Sequence, residues 1–155
     1  MKRLLAAIAL LLSFHAQAQN NLLGCIDRDM RVQSEELKQS FISKGLSVFK
    51  DAMLNMEPET PVPVIMPMVK GKVYQLIFIA NKNASRVSLQ IMDGNHKSII
   101  NKENKKGNGN YITYSFIPDK TDDYIIVVQQ RFRGRSSCGS LTLLEDAPKD
   151  KPAGK

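Results

Sequence analysis

From Gly71 onward, apolar and polar residues alternate in short runs closed by turn signals, and no other feature of the chain restricts its fold as strongly. "RVSLQIM" (Arg86 to Met92) sets Val87, Leu89 and Ile91 on one side, and "YITYSFI" (Tyr111 to Ile117) does the same with Ile112, Tyr114 and Phe116. A period of two is the pattern of a half-buried strand. "KVYQLIFIA" (Lys72 to Ala80) is nearly all apolar and reads as a central strand, and "YIIVVQQ" (Tyr124 to Gln130) is β-branched and core-like. Asp93-Gly94-Asn95 is a hairpin turn into "HKSII". "NKENKKGNGN" reads as a loop by composition, and "CGSLTLL" (Cys138 to Leu144) as the last strand, with Leu141 and Leu143 inward. A parallel sheet needs crossover connections between strands, and this region has none. The expected fold is therefore mainly β: an antiparallel β-sandwich or jelly roll with one N-terminal helix packed on it.

That helix is predicted over Ser34 to Met56. Ser34 is placed as N-cap, Glu35 and Glu36 complement the helix dipole, and Leu37, Phe41, Gly45, Val48 and Ala52 form an apolar stripe. Pro58 stops the helix. The four prolines of "EPETPVPVIMPMVKG" exclude a central strand, because each removes a ladder donor. This segment is expected to run extended and to finish as an edge strand. Residues 145–155 read as a disordered tail.

The chain starts Met-Lys-Arg, then runs apolar from Leu4 to Phe14 and reaches Ala16-Gln17-Ala18, the layout of a secretory signal peptide over residues 1–18. Its apolar run is too short to span a membrane. Cleavage after Ala18 makes Gln19 the new N-terminus of a single domain, residues 19–144, and implies a periplasmic or secreted protein. "LLGC" (Leu22 to Cys25) offers a second exported reading, a lipobox that would anchor the protein by a lipid on Cys25. The chain has two cysteines, Cys25 and Cys138, and in an oxidising compartment they are expected to pair.

Loss of Lys2 and Arg3 lowers the formal charge from +7 to about +5, a mild excess scattered over "NKENKKGNGN", "RFRGR" and the ends. This is not the concentrated basic face with stacking aromatics that nucleic-acid domains use, so no nucleic-acid partner is expected. His96 is the one histidine downstream of the leader, and no G-x-S-x-G element singles out a nucleophile, so the chain reads as a non-enzyme. No cofactor is implied. Asp119, Asp122 and Asp123 in one turn, with Asp93 and Asn95 in another, are calcium candidates that turn chemistry explains equally. Met53, Met56, Met66 and Met68 are soft ligands for Cu(I) or ordinary core. Tyr111, Arg131, Phe132, Arg133 and Arg135 are the residues expected to recognise a ligand, a glycan or a peptide.

"GKVYQLIFIA", "VSLQIMDGN" and "FIPDKTDDYIIVVQQ", closing on "GSLTLL", resemble the strand order of bacterial pre-peptidase C-terminal-type domains over roughly Val69 to Leu144. The resemblance implies a small secreted β-sandwich of accessory type with no catalytic motif, and the N-terminal helix departs from that module. The resulting expectation is an exported, non-catalytic binding or accessory module. The alternative is a structural or assembly subunit of a cell-envelope complex, with an envelope protein as partner.

Overall fold

The computed structural model describes residues 24–147. The leader, its cleavage site and the end of the tail lie outside the described residues. One helix, α1 (Arg28–Ile42), precedes eight strands: β1 (Leu46–Met56), β2 (Val62–Met68), β3 (Tyr74–Ile79), β4 (Arg86–Met92), β5 (Ser98–Lys105), β6 (Tyr111–Phe116), β7 (Asp122–Arg131) and β8 (Ser137–Asp146). They form two four-stranded sheets, ordered β1-β8-β3-β6 and β2-β7-β4-β5. Every pairing is antiparallel. Consecutive strands from β1 to β4 alternate between the sheets in a jelly roll, within the sandwich or jelly-roll class expected, but with eight strands where the alternation pointed to five or six.

The alternation dictates the core. Val87, Leu89 and Ile91 of β4 and Tyr124, Ile126 and Val128 of β7 point inward. They meet Leu76, Phe78, Leu141 and Leu143 from the facing sheet. The opposite face of the first sheet is covered by α1. There Met30, Leu37 and Phe41 pack on Ile77, Ile79 and Leu144. β3 is consequently buried along its whole length, which explains why its sequence does not alternate.

The helix differs from expectation. It begins earlier, with Asp27 as N-cap accepting from the Met30 N–H at 3.0 Å, and it ends at Ile42. Ser34 is buried within it and hydrogen-bonds Ser140 of β8 at 3.2 Å. Gly45 is not helical: its φ of 89° belongs to the left-handed region, and it turns the chain into β1. The apolar spacing misled because a step of four residues keeps to one face in a strand as well as in a helix. Ala52, Leu54 and Met56 share one face of β1, with Leu54 and Met56 buried, whereas a register shift between Val48 and Lys50 takes Val48 off that face and leaves it exposed.

Two further boundaries shift. β5 runs to Lys105, through residues that read as loop, because an edge strand with few inward positions can be polar almost throughout. β8 continues to Asp146, past the expected start of the tail, and Glu145 pairs with Lys72 at 2.7 Å. The proline segment does end as an edge strand, β2. Pro63 and Pro67 lack N–H groups, so that edge is poorly suited to adding another strand.

Cys25 and Cys138 are bridged, with Cα atoms 5.5 Å apart. The bond ties the segment ahead of α1 to the start of β8 and leaves the Cys25 sulfur no valence for a lipid thioether. No helix among the described residues is long and apolar enough to cross a membrane.

Candidate ligand-binding site

The loops that follow β1, β3, β5 and β7 all emerge at one end of the sandwich, because antiparallel strands alternate in direction. β7 leaves its sheet at Arg131, and the chain turns through Gly134, whose φ is 138°. Phe132 folds inward, 9% exposed, and floors the turn, while Arg133 and Arg135 on either side of Gly134 are exposed. Backbone hydrogen bonds fix the neighbouring loops to this turn: the Ser85 N–H donates to the Arg131 carbonyl at 2.7 Å, and the Lys106 N–H to the Ser85 carbonyl at 2.9 Å. The result is an open recess of about 660 Å³ lined by Asn83, Ser85, Lys106, Arg131, Phe132 and Arg133.

Its electrostatics are set by register. Arg131, Arg86 and Lys105 lie directly opposite one another on β7, β4 and β5, on the outer face of the second sheet. Like charges facing each other across strands repel. Two carboxylates partly offset them: Glu59 pairs with the Arg131 guanidinium, and Glu103 lies 3.9 Å from Arg86. Glu59 has a φ of 59°, uncommon outside glycine, and is held there by its N–H to the Gln130 carbonyl and by the Gln129 side chain on its own carbonyl. Lys105, Lys106, Arg133 and Arg135 have no ion-pair partner among the described residues. This end therefore holds an excess of unneutralised positive charge.

The expected ligand residues are thus only partly brought together. Arg131, Phe132 and Arg133 share the recess, and Arg135 lies in the same turn without lining it. Tyr111, 38% exposed, lines a separate groove of about 390 Å³ with Lys102, Asn104 and Tyr114, where the Lys102 ammonium sits 5.4 Å from the Tyr114 ring centre. Sequence reasoning missed Asn83, Ser85, Arg86, Lys105 and Lys106. Their separation from the arginine turn hid them, since only strand register makes them neighbours.

The calcium and copper candidates resolve differently. Asp93, Asp119 and Asp122 do border one recess, of about 510 Å³ at the other end of the sandwich. Among the described residues, however, no three acidic, histidine or cysteine side chains lie close enough to hold a metal ion. Their oxygens serve the turns instead. Asp93 accepts from the N–H groups of Asn95 and Lys97, Asp122 from that of Asp123, and Asp119 from the Tyr124 hydroxyl. Of the methionines, Met56, Met66 and Met68 fill the inter-sheet core, while Met53 packs under α1. His96 is exposed in the β4–β5 turn with a φ of 63°.

No protein-family model and no curated protein matches the chain. Among solved structures it is similar to PliG of Aeromonas hydrophila, a periplasmic lysozyme inhibitor of g-type lysozyme, with 14% identity, a TM-score of 0.48, and coverage of 66% of this chain and 89% of that one. It is also similar to a CBM4 module, at 14% identity and a TM-score of 0.35 over 66% of this chain and 75% of that one. A fucose-binding module of Streptococcus pneumoniae matches at 12% identity and a TM-score of 0.35 over 63% and 73% of the respective chains.

Proposed function

We propose that the protein is an exported, non-catalytic binding or accessory module that holds a glycan or peptide at the loop end carrying Arg131, Phe132 and Arg133. The observation behind this reading is the recess over Phe132, which three separate loops build and which cations and small polar side chains line. A recess of that composition offers hydrogen bonds and charge, with no activated nucleophile. Export is supported by the leader pattern of residues 1–18 and by the disulfide, which persists in oxidising compartments. The likeness of Val69 to Leu144 to pre-peptidase C-terminal-type domains is a proposal of kinship that fits an accessory role.

A glycan array probed beside a pull-down from envelope extract tests the reading. Saturable glycan or peptide binding that Arg133→Ala weakens is the expected result. A stoichiometric protein partner with no such binding would favour the second reading, an envelope assembly subunit. One feature favours that alternative: Ile65 is 65% exposed between Pro63 and Pro67 on the β2 edge, an apolar surface on the proline segment. N-terminal sequencing of native protein tests export. A start at Gln19 is expected, and an intact Met1 or a lipid on Cys25 would refute it.

A further inference from the structure

The cross-strand row Lys105–Arg86–Arg131 narrows the ligand class. The three adjacent strands that carry these cations lie about 4.8 Å apart, so Lys105, Arg86 and Arg131 form one basic strip across the sheet. Their repulsion costs folding free energy, and anions laid across the strands at the same spacing relieve it. That spacing is close to the length of one pyranose unit.

The surface beside the row also suits a sugar. Gln129, Ser88 and Glu103 occupy the next cross-strand row on the same face, and Gln90 and Asn101 the one after. Gln129, Ser88, Gln90 and Asn101 both donate to and accept from hydroxyl groups, and the Glu103 carboxylate accepts. At the other side, Lys106 and Arg133 extend the positive charge into the recess over Phe132.

From this geometry we infer that the ligand is an acidic polysaccharide with one carboxylate or sulfate per sugar unit, lying across β5, β4 and β7 at the basic end. The inference rests on the binding-module reading. Glu59 and Glu103 are built-in competitors: the Glu59 carboxylate occupies the Arg131 guanidinium that the ligand would engage, and Glu103 lies 3.9 Å from Arg86. Removing the Glu59 charge frees Arg131 for the ligand and takes no cation from the row.

The test is titration of the isotopically labelled protein, recovered from cells expressing the full sequence, with four probes. These are oligogalacturonate, chondroitin sulfate, a neutral cello-oligosaccharide and oligoglutamate. Binding of oligogalacturonate, chondroitin sulfate or both is expected, with amide shifts at Ser85, Arg86, Lys105, Arg131 and Arg133, and with affinity falling as salt rises. The two acidic glycans distinguish carboxylate from sulfate as the source of the charge. Arg86→Ala and Lys105→Ala each weaken binding up to about fivefold, the scale of one exposed charge pair. Glu59→Gln strengthens it, a gain that damage to the fold cannot produce. A neutral glycan binding as tightly as the acidic ones would overturn the inference and leave the module reading standing. Oligoglutamate binding more tightly than either acidic glycan would overturn the choice of a glycan. If no probe binds, the inference falls, and the glycan array and pull-down decide the reading it rests on.

Discussion

Single residues show where the fold has no slack. Gly139 of β8 lies where a Cβ would come within 2.5 Å of the Met56 sulfur and 3.1 Å of the Phe78 ring, both buried. Gly139→Ala should therefore destabilise by about 1–3 kcal/mol, the range for overpacking a filled core. Denaturant unfolding checks it, and an unchanged midpoint would refute it. Lys38 of α1 joins the helix to β1 through Asp51 at 2.7 Å, and Asp51 also accepts from Thr142 of β8. Burial disfavours the Lys38 ammonium, but the hydrogen bonds to Asp51 and Glu35 and their negative charge outweigh it, raising its pKa above 10.5. Burial raises the Tyr124 hydroxyl above 10.0, and Asp119 adds to the shift. Both groups hold their protons more tightly when folded, so their stabilisation is complete below those ordinary values and is lost as pH climbs through the raised ones. Unfolding midpoints measured at pH about 9 and about 11.5 should show that decline, and Lys38→Met should flatten part of it.

At the scale of elements, α1 depends on the sheet it covers. Only Met30 and Ser34 are fully buried along it, and its contacts run to β1, β8 and β3. A helix of this length is marginal alone in water, so docking and the disulfide maintain it. The bridge spans a sequence separation of 113, for which chain entropy gives at most about 4–5 kcal/mol. Reduction, or paired Cys25→Ser and Cys138→Ser, should lower the melting temperature while the β signal in circular dichroism persists, since the inter-sheet core contains neither cysteine. Collapse of the β signal on reduction would show that the sandwich cannot stand without the clamp.

The whole molecule is three layers, helix on sheet on sheet, with β3 at the centre and cations gathered at one end. A formal charge of +7 for the chain does not show that asymmetry, because Asp93, Asp119 and Asp122 gather at the opposite end. Screening should relieve repulsion among Lys105, Lys106, Arg133 and Arg135. The expected result is that Arg133→Gln with Arg135→Gln raises stability by a few tenths of a kcal/mol in dilute buffer, with the gain shrinking at 0.15 M salt, where screening acts over about 8 Å. A gain independent of salt would place the effect elsewhere than in charge.

The sequence by itself determined the strands that have one face in water and one in the core. Arg86 to Met92 and the Asp93-Gly94-Asn95 turn lie where the alternation and the turn residues put them. It determined the staple as well, because two cysteines leave one pairing within the chain. Tertiary structure decided the rest. Leu46 to Met56 has apolar spacing that suits helix and strand alike, and it became a strand because Gly45 ends the helix and β8 offers an edge to pair with. Beyond Ile100, β5 carries no hydrophobic signal, and pairing with β4 makes that stretch a strand. The candidate site was legible in Arg131, Phe132 and Arg133, which are contiguous. Its partners Lys105 and Arg86 were not, because strand register across a sheet, a property of the folded backbone, sets three distant cations side by side.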